Sequence, residues 1–392
     1  MIEKLLDAAI RFRWGVVILT LIISAYGLNE LMKLPIDAVP DITNKQVQIN
    51  TVEPNLGPLD IERLVTFPIE TAMAGIPGLQ TSRSISRNGF SQVTVIFEDH
   101  TDLYFARQQV AERLNQAKGT LPDGAEPQMG PVSTGLGEVL MYTVDFAPTS
   151  GKNKPTVAGK PGLQPDGSYI TPTGEVLVDE VAKLGYLRTV QDWVIRPQLR
   201  SVSGVAGIDS IGGYEKQFVV QPDATKLATY GISFSELAEA LERANISVGA
   251  NFVERGGGAF LVRADGRIRT LDEISRATVA SRGGVPVMVR DVATVQIGGE
   301  LRTGSASENG KELVVGTVLM LANGNSRIVA SAAAERLKDV AKSMPAGIVV
   351  KPVLDRSQLV DATIGTVEKN LAEGALLVAA VLFWLLGNFR AD

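Results

Sequence analysis

Two long apolar runs lie near the ends of the chain. Trp14–Leu28 is apolar apart from one Thr and one Ser. With its flank to Leu34 it gives about 20 helical residues, enough to cross a hydrocarbon core of about 30 Å. Leu371–Gly387 is a shorter run of the same kind. The pattern predicts two transmembrane helices, within residues 1–38 and 359–392.

Basic residues flank both runs: Lys4, Arg11 and Arg13 precede the first, and Arg390 follows the second. Because Lys and Arg are retained on the cytoplasmic side, we expect both ends in the cytoplasm and the segment between them to be exported. A cleaved signal peptide is the alternative for the first run, but nearby acidic residues do not fit a basic leader. Since only Phe389–Asp392 follow the second run, we expect the chain to be part of a longer protein.

The pattern from residue 39 to residue 134 predicts a βαββαβ unit. Apolar and polar residues alternate with period two in the strands and recur every three to four residues in the helices. Asn88-Gly89 favours a tight hairpin turn, and Asp102 is a typical helix N-cap. The predicted elements are, in order, Gln46–Val52, a helix Leu59–Met73 kinked at Pro68, Leu79–Arg87, Ser91–Phe97, a helix Asp102–Ala117 and Glu126–Val132.

The same order recurs in residues 135–211 and 300–358. The predicted elements of this second unit are Glu138–Phe146, a helix Leu187–Ser201, Val205–Ile211, Leu313–Leu321, a helix Arg327–Ser343 and Ile348–Leu354. An inserted α+β piece at residues 212–299 interrupts it, and Ser233 and Glu236 fit a capping box at the start of a helix there. The fold class predicted is an α+β membrane protein with two ferredoxin-like βαββαβ units and an insertion.

The segment Ala147–Gly174 differs from its surroundings in composition. It is rich in Pro, Gly and Lys and holds few apolar residues. Such a stretch cannot bury a core of its own, so we predict a long flexible loop.

Composition excludes several classes of site. The chain has no Cys and a single His, His100, which removes disulfides, zinc fingers and two-histidine metal motifs. His100 is expected to be an exposed turn residue. The net charge of −5 and the scattered basic residues argue against nucleic-acid binding. Motifs for phosphate-binding loops, nucleophile elbows and zinc proteases are missing, so we predict no catalytic residue and no enzyme activity.

Several long motifs carry a family resemblance: LPIDAVPDITNKQVQI, VTFPIETAMAGIPG, SRSISRNGFSQVTVIFEDHTD, PVSTGLGE, PVMVRDVATVQIGGE and LLGNFR. In this order they resemble the N-terminal third of heavy-metal efflux pumps of the resistance-nodulation-division (RND) superfamily. The resemblance implies that residues 39–134 are one porter subdomain, that residues 135–211 and 300–358 are a second, and that residues 212–299 are a docking subdomain.

The resemblance also implies a function and partners. Such pumps are proton-driven cation antiporters of the bacterial inner membrane that export substrate from the periplasm or inner leaflet. They work as homotrimers in the lipid bilayer, with a periplasmic membrane-fusion adaptor and an outer-membrane channel. We therefore expect no permanently bound cofactor, and a divalent transition-metal ion as substrate. The proton-relay residues belong to a later span that this chain does not include.

Three candidate site residues follow from the resemblance. Glu138 matches a carboxylate that divalent-metal pumps place in the porter cleft as a metal ligand, whereas copper and silver pumps have an aromatic residue there. Carboxylate oxygen suits Zn²⁺, Co²⁺ or Ni²⁺ and offers little to Cu⁺. Arg83 matches a cleft arginine of relatives, and Arg87 lies on the same strand face. Exposed strand positions with no ligand role are the alternative for all three.

Other functions stay open at this point. The methionines are spread out, with no close pair, so each is expected to fill a core rather than bind a soft metal. Copper or silver export is nonetheless an alternative, because the resemblance places the methionine ligands of those pumps beyond the portion that this chain matches. A multidrug pump and a membrane-tethered periplasmic sensor are further alternatives.

Overall fold

The computed structural model describes residues 11–33, 42–147, 159–256, 258–300, 302 and 304–386. Helix α1 spans Arg13–Lys33. The predicted end of this helix near Leu34, its basic flank at Lys4 and the residues after Leu386 lie outside the described residues.

The first unit is a four-stranded antiparallel sheet with two helices on one face. Its order, β2-β3-β1-β4, agrees with the predicted ferredoxin-like arrangement. The core lies between the sheet and the helices, around Val47, Ile49, Val93 and Val95. The elements are β1 Gln46–Val52, helix α2 in three continuous parts (Pro58–Ile61, Glu62–Thr66 and Phe67–Met73), β2 Leu79–Arg87, β3 Phe90–Phe97, α3 Leu103–Ala117 and β4 Glu126–Met129.

Helix α2 widens where the sequence places a proline. Glu62–Thr66 forms a π-helical turn, and the next part begins at Phe67 and Pro68. Pro68 has no N–H for the i−4 bond, and its ring crowds the carbonyl one turn back, so a wider turn accommodates it. The predicted kink at Pro68 therefore takes the form of this π turn.

The second unit begins with β5, Glu138–Phe146. Three two-residue strands follow, β6 Gly162–Leu163, β7 Tyr169–Ile170 and β8 Val176–Leu177, and pair as a small sheet. Helix α4 comes next, in the continuous parts Glu180–Val190, Gln191–Ile195 and Arg196–Arg200, and then β9, Val205–Ile211. As in α2, a π-helical turn ends two residues before a proline, here Pro197.

The small sheet β6–β8 corrects the prediction of a flexible loop over Ala147–Gly174. Residues 148–158 lie outside the described residues, but residues 159–174 are folded onto the second unit. Tyr169 is fully buried, with ring centroids 4.9 Å from Phe146 and 5.3 Å from Tyr186, and its hydroxyl donates to the Ala346 carbonyl at 3.1 Å. Gln164, Ser168 and Thr171 of the same stretch are buried too, and their side chains form hydrogen bonds within it.

The insertion has its own small core. A two-stranded ribbon formed by its first and last strands, β10 and β15, connects it to the second unit. The predicted capping box of Ser233 and Glu236 is present, with both reciprocal hydrogen bonds. The elements are β10 Lys216–Pro222, α5 Ala224–Tyr230, α6 Phe234–Ala244, β11 Ser247–Arg255, β12 Gly258–Asp265, α7 Leu271–Arg276, β13 Thr278–Arg282, β14 Val285–Met288, α8 Val289–Val292 and β15 Ala293–Gly299.

The chain then returns to complete the second unit with β16 Ala306–Glu308, β17 Lys311–Met320, α9 Ser326–Lys342 and β18 Ile348–Asp355. The main sheet has the order β9-β17-β5-β18, which repeats the strand order of the first unit, and β16 pairs with β17. Helices α4 and α9 cover one face of this sheet. We call the opposite face of each main sheet its outer face.

Helix α10, Arg356–Leu386, follows directly. No helix in the described part of the chain combines the length and apolar character needed to cross a membrane, so the predicted pair of transmembrane helices is not found there. In α1 the apolar run stops before Asn29 and Glu30, and in α10 Lys369 and Glu373 precede the apolar run. Both predicted spans reach residues outside the described ranges, Leu34 in the first and Gly387 in the second.

Candidate functional site

Glu138 lies at the first position of β5, where the strand carries a bulge. Val318 pairs with Leu140 and Leu319 pairs with Glu138, so Val139 is the extra residue, and its side chain is buried in the core. A bulge of this kind re-aims the neighbouring side chain. Glu138 therefore shares the outer face with Leu319, and it is exposed. Its role as a metal ligand stays a prediction.

Three further polar or sulfur-containing side chains occupy the next row of the same face. Thr317 on β17 pairs with Asp209 on β9 and with Met141 on β5. Flanking residues Ile208, Val318 and Leu140 belong to the core under the helices, so strand alternation directs Asp209, Thr317 and Met141 to the outer face. Asp209 is exposed and Met141 is half-buried.

Thr317 stands out in this row because its hydroxyl has no partner. The residue is 3 % exposed, and no described residue forms a hydrogen bond with its Oγ1 atom. Buried hydroxyl groups are normally hydrogen-bonded, since an unpaired one keeps the cost of leaving water. Sequence reasoning missed both Thr317 and Asp209; the signal was the polar position of Asp209 between Ile208 and Ile211 in a predicted strand.

Arg83 and Arg87 lie elsewhere, on β2 at the edge of the first sheet. They pair with Thr94 and Phe90 of β3, and both are exposed. Glu138 belongs to the other sheet, and within the described residues no hydrogen bond or ion pair connects it to either arginine. That the arginines contribute charge to a porter cleft remains a prediction.

The described residues contain no group of three or more His, Cys, Asp or Glu side chains that could hold a metal ion. His100 is 81 % exposed in the turn between β3 and α3, 3.4 Å from Glu98. Among the methionines, Met73 and Met320 fill the two cores as predicted, whereas Met141 is outside them.

Clefts lie along the junction between α4 and the ribbon β10–β15. One of about 490 Å³ is lined by Trp193, which is 79 % exposed, and by Phe218. Asp192 braces its wall: the carboxylate accepts hydrogen bonds from Arg188 and from the Ser210 hydroxyl, each at 2.6 Å. This network anchors the helix to β9 and leaves the aromatic side chains at the surface.

A second cleft of about 190 Å³ at the same junction is lined by Glu215, Glu300 and Arg302. Burial raises the pKa of the Glu300 carboxyl above its ordinary value, and the neighbouring Glu215 raises it further, while Arg188 opposes the shift. The Arg302 guanidinium stacks over the Tyr214 ring, 4.1 Å from its centroid, and also contacts Glu312 of β17. These charges hold the insertion against the second unit.

Comparison with known proteins places this fold. The model of the AcrB/AcrD/AcrF family matches residues 5–392. The chain is 61 % identical to the nickel-cobalt-cadmium resistance protein NccA of Alcaligenes xylosoxydans xylosoxydans and 58 % identical to the nickel and cobalt resistance protein CnrA of Cupriavidus metallidurans. Both matches include 100 % of this chain and 36 % of the relative.

A crystal structure described as a heavy metal efflux pump superposes with a TM-score of 0.80 at 31 % identity. That match covers 96 % of this chain and 35 % of the pump. The chain thus spans about a third of the length of the proteins that it matches. The matches cover the motifs on which the resemblance was based, and the chain belongs to the AcrB/AcrD/AcrF family of RND proteins.

Proposed function

We propose that this chain is part of an inner-membrane pump that exports divalent transition-metal cations, Ni²⁺, Co²⁺, Zn²⁺ or Cd²⁺, in exchange for protons. The observation that carries the proposal is the identity of about 60 % along the whole chain with two proteins named for nickel and cobalt resistance. Those names favour metal export over the multidrug and sensor alternatives, and divalent cations over copper or silver. The pump is a transporter rather than an enzyme.

Glu138 is our candidate ligand for the cation. Its carboxylate is exposed on the outer face of the second sheet, and in the described residues it has neither a hydrogen bond nor an ion pair. An unpaired carboxylate can bind a cation without first breaking another contact. Transport requires the cation to leave again, so a site assembled from a few ligands on moving parts suits a pump better than a rigid closed cage.

The assembly that we propose follows the family. The two βαββαβ units serve as porter subdomains, and the insertion, with its separate core, serves as a docking subdomain in a homotrimer. A periplasmic adaptor and an outer-membrane channel complete the export path. The exposed apolar side chains of α1 and α10, such as Trp14, Tyr26 and Trp384, suit contact with lipid or with other helices of the longer protein.

The test uses the full-length protein that contains this chain, expressed in a metal-sensitive bacterial host. We expect it to restore growth on nickel, cobalt, zinc or cadmium salts, and we expect Glu138→Ala to lose most of that growth. Glu112→Ala, which removes an exposed carboxylate from α3, is the matched control and should grow like the parent. Immunoblots check that all variants reach equal abundance.

Two results would contradict the proposal at different levels. If the parent protein restores growth on none of the four metals, the pump function is wrong. If the parent restores growth and Glu138→Ala does so equally well at equal abundance, only the ligand role of Glu138 is wrong.

A further inference from the structure

The outer face of the second sheet carries a row of three potential donor atoms beside Glu138. Asp209, Thr317 and Met141 are direct neighbours on adjacent strands. Neighbouring strands lie about 4.8 Å apart, so the side chains at the ends of this row are within reach of one ion above Thr317. Glu138 belongs to the next row, where it pairs with Leu319.

The unpartnered hydroxyl of Thr317 is the feature that needs an explanation. A buried Thr with no hydrogen bond makes the folded protein less stable than Val would at the same position, because Val has the same shape and no unpaired polar atom. The residues to either side present a carboxylate with no described partner and a half-buried thioether. A cation coordinated by all three side chains would give the Thr317 hydroxyl oxygen the partner that it lacks.

We propose that Asp209, Thr317 and Met141 form a second subsite for the transported divalent cation, adjacent to Glu138. The inference rests on the proposed function, because it assigns further ligands for the same cargo. The subsite adds one carboxylate, one hydroxyl and one thioether, so it is consistent with the lack of a group of three His, Cys, Asp or Glu side chains among the described residues.

The donor set indicates which cations it takes. Carboxylate and hydroxyl oxygen bind divalent cations generally, whereas a thioether favours softer ions. Mg²⁺ and Ca²⁺ gain nothing from sulfur and prefer a shell of oxygen atoms. The subsite should therefore favour Cd²⁺, Ni²⁺ or Co²⁺ over Mg²⁺ and Ca²⁺, and Met141 should matter most for Cd²⁺.

The experiment measures binding of Co²⁺ and Cd²⁺ to the purified full-length protein by calorimetry, together with growth on both metals. We expect Asp209→Asn to weaken binding by about tenfold, comparable to the loss of an important partner at a metal site. Met141→Leu should weaken Cd²⁺ binding more than Co²⁺ binding. Asp145→Asn is the matched control: Asp145 is on β5 too, but its carboxylate is paired with Lys311 at 2.9 Å.

Thr317→Val separates a ligand role from a structural one. The substitution keeps the shape and removes the unpaired hydroxyl, so the melting temperature should stay the same or rise while metal binding weakens. Thr317→Ser keeps the hydroxyl and should retain binding.

The proposal is overturned if Asp209→Asn and Thr317→Val bind both metals as the parent does. If the proposed function nevertheless holds, the parent protein still exports the metals and Glu138→Ala still does not. If the parent neither binds nor exports these metals, the proposed function and this inference are both wrong.

Discussion

The two βαββαβ units share a scaffold and differ in the chemistry of their outer faces. The two central strands of the first sheet present mainly carboxamides there, and Gln92 of β3 donates from its amide to Asn50 of β1 at 3.0 Å. Charged side chains stand on the edge strands of this face, Arg83 and Arg87 on β2 and Glu126 on β4. The second sheet presents Glu138 and Asp209 with a hydroxyl and a thioether. Carboxamides that bond one another keep the central strands of the first face neutral, whereas unpaired carboxylates on the second face attract cations.

The scaffold itself is repeated in detail. Both units have the same strand order, and the first helix of each contains a π-helical turn that ends two residues before a proline, at Pro68 and at Pro197. Since these features recur with different surface residues, they belong to the fold rather than to the cation chemistry. The comparison therefore separates the shared scaffold from the surface residues on which the proposed cation sites depend.

The units also differ in how their second and third strands connect. In the first unit β2 and β3 are joined by the turn at Asn88-Gly89, whereas in the second the whole insertion lies between β9 and β17. Only the second unit carries the small sheet β6–β8 as well. The insertion and the small sheet belong to the second unit only. Substitutions in them should therefore change the stability of the second unit and leave the first unit unchanged.

The largest expected effect comes from Tyr169, which holds the small sheet on the second unit. Tyr169→Ala removes a fully buried ring and its hydrogen bond to the Ala346 carbonyl. Loss of a buried aromatic side chain costs about 3 to 5 kcal/mol. We expect faster hydrogen exchange throughout residues 159–177, with the exchange of the first sheet unchanged, measured by mass spectrometry.

Tyr104→Ala in α3 of the first unit is the control, because that ring is 63 % exposed and its loss should leave exchange in both units as before. Unchanged protection of residues 159–177 in Tyr169→Ala would show that the ring does not anchor this segment.

A smaller and equal effect is expected at an Asp N-cap in each unit, on α3 in the first unit and on α4 in the second. The Asp102 carboxylate accepts a hydrogen bond from the Phe105 N–H at 2.8 Å, and Asp179 accepts one from Ala182 at 2.7 Å. Replacing either Asp by Ala should reduce the free energy of unfolding by about 1 kcal/mol, and replacement by Asn should cost little. Urea unfolding measures both.

The caps lie in separate units, so their effects should add in the double variant. A cost at Asp179 several times that at Asp102 would mean that the two helices do not stabilise their units in the same way.

Sequence patterns predicted the scaffold well because the scaffold is local. The strands of the first sheet, the Asp102 cap and the Ser233 capping box follow from alternation and from short-range hydrogen bonds, and all of them are present. Composition failed for residues 159–174, because Tyr169 reaches the core and the polar residues Gln164, Ser168 and Thr171 are buried with their hydrogen bonds formed inside the segment.

The candidate site was predictable only in part. Glu138 came from a family motif, but its neighbours Asp209 and Thr317 are 71 and 179 positions further along the chain, and only strand register brings them beside Met141. The unpaired state of the Thr317 hydroxyl depends on three-dimensional contacts that no local pattern encodes.

The smallest expected effect concerns the junction that only the second unit has. Burial and Glu215 raise the pKa of Glu300 in the folded protein above the value of about 4.3 for a free Glu. The folded state therefore holds this proton more tightly than the unfolded state, so stability falls as pH rises from below the unfolded pKa to above the folded pKa. Glu300→Gln should melt at a higher temperature than the parent at pH 7, and the difference should vanish as the pH is lowered below about 4.

Glu236→Gln, in the insertion, provides a comparison of opposite sign. Hydrogen bonds from Ser233 lower the pKa of Glu236, so its contribution to stability is present above the unfolded pKa and is lost as pH falls through the folded value. That variant should melt below the parent at pH 7 and approach it in acid. Melting curves of the three proteins between pH 3 and pH 7 test both signs, and a Glu300→Gln variant that melts below the parent at pH 7 would show that the junction favours the ionised carboxylate.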